Sequence, residues 1–251
     1  MVGSAGGAKY VPGTYVKPTP SAAQISDRYI REWELKWREK ERKKPKAKMP
    51  PAICFSRKIG VGVLEIAGIL AEKIGYRVID RQILENIADE AKLSERTVSL
   101  FDERYPGKLN EFVALAFGEK AFIESDYSRH LFKALISIAG MGPTIFLGRG
   151  AHLLLPRDRV LAVRFISSRP YRVKRLARIL QIAENEAERR VDLADREQRD
   201  FFKKVYDKKD ASPYEFDMVI NCDWISNPEV AAAIVAQAAE AKFGPESEED
   251  S

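Results

Sequence analysis

Ile53-Cys54-Phe55-Ser56-Arg57-Lys58-Ile59-Gly60-Val61-Gly62-Val63-Leu64-Glu65-Ile66 is the stretch from which the fold can be read. An apolar run of strand character meets two glycines one residue apart, and a helical pattern of apolar residues follows. The reading is a buried strand, a tight turn and a helix whose first N–H groups face the turn. Unpaired donors and the positive end of the helix dipole then point at one place, which suits an anion such as phosphate. A G-x-G turn alone is weak support, since glycine is also needed simply to reverse the chain. The Lys-Ser/Thr ending of the common phosphate loop is absent.

Outward from this stretch, strand-like runs recur at Ala52–Ser56, Tyr76–Asp80, Thr144–Gly148, Val160–Ile166 and Asp217–Cys222. Helical patterns lie between them, at Leu64–Ile74, Arg81–Lys92, Glu95–Arg104, Leu109–Ile138, Pro170–Gln181, Ala183–Tyr206 and Asn227–Lys242. Strands alternating with helices predict a three-layer α/β fold around a mainly parallel five-stranded sheet. At 251 residues the chain suits one such domain with an extension. The expected segments are a disordered arm over 1–20, an amphipathic helix with a basic linker over 21–51, the α/β domain over 52–244 and an acidic tail over 245–251. The 1–20 arm is rich in Gly and Pro, and Ser21-Ala22-Ala23-Gln24 has the form of a capping box. Ile25, Tyr29, Trp33 and Trp37 then recur every four residues on one helical face. That face is expected to pack on the chain's own body, with a protein partner or second subunit as the sharper alternative.

Composition narrows the function classes. Forty-two Lys and Arg against 37 Asp and Glu leave a net charge of +5, which favours anionic ligands without choosing among them. No apolar run approaches the roughly 18 residues of a membrane span, and the N-terminus lacks the apolar stretch of a secretory signal. No membrane association and a cytoplasmic location are therefore the expectation. Cys54 and Cys222 lie in apolar segments and read as small hydrophobes. His130 and His152 are isolated, so no metal site is expected and His152 reads as structural. Nucleic-acid binding through the basic stretch Arg38–Lys48 is a minor reading.

Two further groups carry charge where chemistry would need it. Gly148-Arg149-Gly150 follows a strand, so Arg149 should emerge on the rim where open parallel sheets bind ligands. The segment Arg169–Lys209 has 13 Lys or Arg against 8 Asp or Glu. Within it Arg172, Arg175 and Arg178 share one helical side, and Asp195, Arg196 and Arg199 lie on the next helix. Two arginine-bearing helices folding over a polyphosphate would neutralise it and exclude water, most of what phosphoryl transfer asks of a protein.

In this order the motifs resemble the cytidylate kinase-like family of P-loop nucleoside monophosphate kinases, over roughly Ile53 to Ala239. Ser56-Arg57-Lys58-Ile59-Gly60-Val61-Gly62-Val63-Leu64-Glu65-Ile66-Ala67 is similar to the family's S-R-E-F-G-S-G-G-[RK]-E-I-A. Ile79-Asp80-Arg81-Gln82-Ile83-Leu84 resembles Y-D-[KR]-x-[IL]-[IL], Gly148-Arg149-Gly150-Ala151-His152 reproduces G-R-G-A-[NH], and Asp195-Arg196 with Arg199 meets D-R-x-x-R. The resemblance implies ATP with Mg²⁺ at Ser56, Arg57, Lys58, Gly60, Val61, Gly62, Val63 and Leu64, and a pyrimidine monophosphate near Asp80, Arg81, Arg149 and Asp195. Arg149, Arg196 and Arg199 would act on the phosphates, beneath a lid of about 169–209 that carries Arg172, Arg175 and Arg178. Val61, Val63 and Leu64 depart from the family pattern, and Leu64 stands where it has a cation. Reduced phosphotransfer is the expectation, with a catalytically inactive binding or assembly module as the alternative.

Overall fold

The computed structural model describes residues 24–32, 49–89, 95–99, 101, 126–209 and 211–244. Trp33, Trp37 and the basic stretch Arg38–Lys48 lie outside them, as do the 1–20 arm, the acidic tail and most of the expected helix Leu109–Ile138. Helical segment 24–32 (α1) places Ile25 and Ile30 in the core, and Ser26 Oγ donates to the Ile83 carbonyl at 3.4 Å.

Five strands, β1 Ala52–Arg57, β2 Arg77–Ile79, β3 Thr144–Leu147, β4 Val160–Ile166 and β5 Met218–Asn221, form one sheet in the order β2-β3-β1-β4-β5. Every pairing is parallel. Ala52, Ile53, Cys54 and Phe55 are all buried, as required of a central strand covered on both faces. One face packs against α2 Val63–Ile74 and α8 Pro228–Phe243 through Phe55, Leu70, Val163 and Val235. The other packs against α3 Arg81–Asp89, α4 Asp126–Met141 and the short α5 Ala151–Leu154 through Cys54, Ile83, Leu135 and Phe146. Both cysteines are buried and free.

The strand expectations hold to within two residues at each end. Helix α4 continues to Met141, beyond the expected end at Ile138, and α5 has no counterpart in the sequence reading. Four residues are too few to show a hydrophobic period.

The helices begin and end where local chemistry dictates. Gly75 in the left-handed region stops α2, its N–H reaching the Ala71 carbonyl. Ser168 caps α6 Arg169–Leu180, with Pro170 in its first turn, where a missing N–H costs nothing. Gln181 at φ 54° ends α6, and the chain turns back as α7 Glu184–Tyr206. These two helices share a small apolar core of Val173, Leu176, Ala177, Ala187 and Val191, against which Ile59 of the glycine turn packs. No helix among the described residues is long and apolar enough to cross a membrane.

Candidate functional site

After β1 the chain leaves toward β2, and after β3 it crosses to β4 on the other side, so the carboxyl ends of β1 and β3 flank a topological switch point. Open α/β sheets bind ligands at such crevices. The glycine turn after β1 and Gly148-Arg149-Gly150 after β3 therefore share one rim, and Gly148 N–H donates to the Phe55 carbonyl at 2.8 Å.

At the turn, Gly60 and Gly62 take φ 84° and 95°, values that L side chains rarely adopt. Space demands glycine as well. A Cβ on Gly60 would lie 2.8 Å from the Arg172 carbonyl oxygen, and one on Gly62 would lie 2.8 Å from the Arg175 guanidinium. Helix α6 thus sits directly on the turn. Arg172, nearly fully buried, binds Asp195 through two hydrogen bonds of 2.9 Å and approaches the Ile59 carbonyl at 3.4 Å. Arg175 binds Glu65 at 3.1 Å, and Lys58 lies 3.6 Å from Asp195. Val61 and Val63 point into the core.

These contacts decide how far ATP with Mg²⁺ fits. The space over the turn is about 50 Å³, lined by residues 57–65 with Leu147, Arg175, Leu176 and Ile179. That is room for a few waters, at roughly 10–15 Å³ each on this measure, with the Arg175 guanidinium already against Gly62. Val61, Val63 and Leu64 offer neither a cation nor a ligating oxygen. A triphosphate with its metal does not fit the turn as it is packed.

The other half of the rim is differently poised. Asp80 follows β2, is 2% exposed, and uses Oδ1 to accept the Ile83 N–H at 2.9 Å, capping α3. Its Oδ2 is buried with no hydrogen-bond donor. Burial raises the Asp80 pKa, against the pull of the Ile83 and Gln82 N–H groups and of Arg57. Arg57, at the end of β1, makes neither a hydrogen bond nor an ion pair through its guanidinium among the described residues. Burial lowers its pKa to about 10, with Arg81 and Arg149 adding repulsion and Asp80 opposing it.

Arg149 is held in place from three sides. It adopts φ 54° between Gly148 at 86° and Gly150 at 71°, a left-handed conformation that costs a non-glycine residue about 1–2 kcal/mol. Its guanidinium pairs with Glu85 and lies 4.0 Å over the Phe201 ring, while the Tyr206 hydroxyl donates to its carbonyl at 2.5 Å. Burial lowers the Arg149 pKa, and Glu85 works against that shift. Glu85 also receives Arg81 Nε at 3.3 Å and the Tyr127 hydroxyl at 3.4 Å.

Ser56, Arg57, Lys58, Arg172, Asp195 and Arg199 come together around a cavity of about 390 Å³ between β4 and α7. Arg178 and Arg196 are exposed and line neither this cavity nor the glycine turn. The sequence reading did not single out Arg164, Ser167, Glu85, Lys208, Lys209 or Tyr206. Arg164 had a signal, as the one charge inside the apolar strand Val160–Ile166. Glu85 had one too, four residues beyond Arg81 on the same helical face.

Residues 52–223 match the cytidylate kinase-like family. No curated protein matches the chain. Among solved structures, an uncharacterised protein from Eubacterium ventriosum is similar at 17% identity and a TM-score of 0.58, covering 76% of this chain and 98% of its own. Shikimate kinase from Bacteroides thetaiotaomicron aligns at 15% identity and a TM-score of 0.37, over 76% of this chain and 96% of its own. TT1252 from Thermus thermophilus aligns at 21% and 0.39, over 77% and 98%. At these identities the first of the three speaks to a shared fold alone.

Proposed function

We propose that this chain, which belongs to the cytidylate kinase-like family, binds a pyrimidine nucleoside monophosphate at the crevice between β1 and β3, with phosphotransfer from ATP held low by the closed glycine turn. One observation carries the reading: among the described residues the half-buried Arg57 guanidinium has neither hydrogen bond nor ion pair, and Asp80 Oδ2 is a buried acceptor without a donor. The second lack is costly by itself, since an unmatched buried polar group forfeits about 1–3 kcal/mol. A monophosphate would neutralise Arg57 while a hydroxyl or amino group of the same ligand satisfied Asp80. Arg149, fixed by Glu85, Phe201 and Tyr206, forms a rigid wall of that site. Arg81, paired with Glu85, is exposed beside it, and among the described residues Arg196 and Arg199 on α7 make no ion pair that would compete with a phosphate.

ATP with Mg²⁺ would supply the transferable phosphoryl group and offset its charge. Because the turn does not admit it as packed, turnover requires α6 to lift Arg172 and Arg175 from Gly60 and Gly62. The narrowness of that space also favours a second reading, a relative that binds nucleotide without turnover and serves as a binding or assembly module.

Calorimetry of the full chain with CMP, dCMP and UMP, beside a coupled ATP- and Mg²⁺-dependent kinase assay, tests both. Saturable CMP binding that weakens about tenfold in Arg57→Gln and in Asp80→Asn is expected, from the loss of one charge-assisted contact. CMP binding unaltered by either substitution, or absent for all three monophosphates, overturns the assignment of this crevice. Binding without turnover leaves the module reading standing and removes the kinase one.

A further inference from the structure

The two edges of the parallel sheet are finished differently. At the β2 edge, Arg77 puts a charge on the strand and α1 lies against it, with Glu32 3.6 Å from the guanidinium and the Tyr29 ring centre 5.9 Å away. A charged side chain and a covering helix are the usual protection of an edge strand. At the opposite edge stands β5, paired with β4 on one side and with no strand among the described residues on the other. Its hydrogen bonds to β4 extend from the Asp217 N–H to the Cys222 N–H, both at 2.8 Å. Between these, Met218-Val219-Ile220-Asn221 carries neither a charge nor a proline.

Apolar surface gathers at this second edge. Of the six large hydrophobic residues exposed among the described ones, five lie on β5 or next to it. Val219 on the strand is 48% exposed, Trp224 just after it 85% and Tyr214 just before it 95%. Ile166 lies on β4 beside β5, where its neighbour is Asn221, and Val230 is in the first turn of α8. Single exposed apolar residues are ordinary, whereas a cluster along an unprotected strand marks a contact surface.

The pattern also selects the partner. Tyr214 and Trp224 stand five residues before and five after Val219. An antiparallel copy turned about a two-fold axis at Val219 therefore brings Tyr214 toward Trp224 of the partner subunit, twice over. Charge follows the same symmetry. Arg157, Arg159 and Lys242 gather at the N-terminal end of β5 against Asp158 and Asp217, and both Arg157 and Lys242 bind the Asp217 carboxylate. The other end carries Asp223, which accepts the Ser168 N–H at 2.9 Å, and the exposed Glu229, neither of them ion-paired among the described residues. Antiparallel pairing lays the basic end of each strand on the acidic end of the other. A contact of this kind closes with two copies.

We propose that two copies of this chain associate through β5, joining their five-stranded sheets edge to edge. The interface ends beside the candidate site, because Asp223 holds Ser168, the cap of α6. The proposal does not depend on the nucleotide assignment.

Sedimentation velocity of the full chain, from low to high micromolar concentration, is the test. Wild type is expected to form a dimer as concentration rises. Val219→Lys sets two like charges against each other at the axis and should leave a monomer. Trp224→Ala should weaken the dimer about tenfold; its side chain is exposed, so it reports on the contact even where Val219→Lys disturbs the strand, and thermal melts separate the two effects. Val219→Cys should give a disulfide-linked dimer under mild oxidation, since residues facing each other across the axis come within disulfide reach and both native cysteines are buried. A monomeric wild type, association that continues beyond two copies, or a dimer unchanged by both Val219→Lys and Trp224→Ala overturns the proposal. The last result would place the contact elsewhere on the chain.

Discussion

Replacing His152 by a group that cannot titrate should flatten the acid side of the stability profile. The ring lies 4.9 Å from that of Phe216 and is almost wholly buried. Burial pushes its pKa down to about 4, from 6.5, even though Glu215 pulls the other way. The sign follows from linkage. Below pH 6.5 the unfolded chain takes up a proton that the folded one refuses until about pH 4, so stability falls as the pH falls through that window. With one pKa unit worth 1.36 kcal/mol, the loss relative to pH 7 is about 1 kcal/mol at pH 5.5 and about 2.5 kcal/mol at pH 4.5. Glu215 is pushed up by burial but held below its usual value overall by Lys208 and the Ser212 N–H. It therefore also loses stability toward acid, but it remains in both proteins and largely cancels in the comparison. Urea unfolding of wild type, His152→Phe and His152→Gln at pH 7, 5.5 and 4.5 measures the difference. Two variants of different size guard against a packing defect, which would shift the whole curve without changing its slope. If wild type and both variants lose stability in parallel down to pH 4.5, the histidine is not held neutral by its surroundings and the reasoning fails.

Gly150→Ala should cost about 3 kcal/mol or more in urea unfolding, because its Cβ would fall 2.6 Å from the Tyr206 ring at φ 71°. Gly148→Ala meets nothing within 4 Å, so it should cost only the backbone strain of about 1–2 kcal/mol; equal costs for the two would contradict the placement of Tyr206. Asp195→Asn leaves the buried Arg172 without its counter-charge, and a loss of about 3–5 kcal/mol is expected, or an α6–α7 pair that proteases cut faster at native pH. Wild-type stability and cleavage in that variant would show that the ion pair does not latch α6. Leu64→Arg puts a cation into the first turn of α2, and ATP-dependent turnover should rise on the order of tenfold or more; unchanged turnover would mean that the seal formed by Arg172 and Arg175 limits the reaction, whatever residue 64 carries.

Much of the architecture was legible in the chain because its causes are local. Ile53 to Phe55 and Ile145 to Leu147 are continuous apolar runs, as a strand covered on both faces requires. Ser168-Arg169-Pro170 and Asn227-Pro228 announce helix starts through a capping side chain and a proline that needs no N–H. The Gly60 and Gly148 turns were placed by the same logic. Helix α5 was not, for want of a full period.

The candidate site was legible in its cast and not in its state. From the sequence, Arg149 is an arginine released by two glycines, yet in the fold it is bound by Glu85, stacked on Phe201 and held through its carbonyl by Tyr206. Those partners lie 64, 52 and 57 positions away in sequence, too far for any spacing rule to reach. Arg172 and Arg175 read as lid cations, and the fold sets them on Gly60 and Gly62 as a seal, already paired with Asp195 and Glu65. The sequence by itself determined a parallel α/β sheet with a glycine turn, a second rim arginine and a basic helical pair, because periodicity, caps and glycine conformations act over a few residues. Only the tertiary structure decided which charges are spent on each other and which are left over. Burial and pairing depend on what the folded chain brings alongside, and it is Arg57, unpaired among the described residues, and the unmatched Asp80 Oδ2 that point to a ligand.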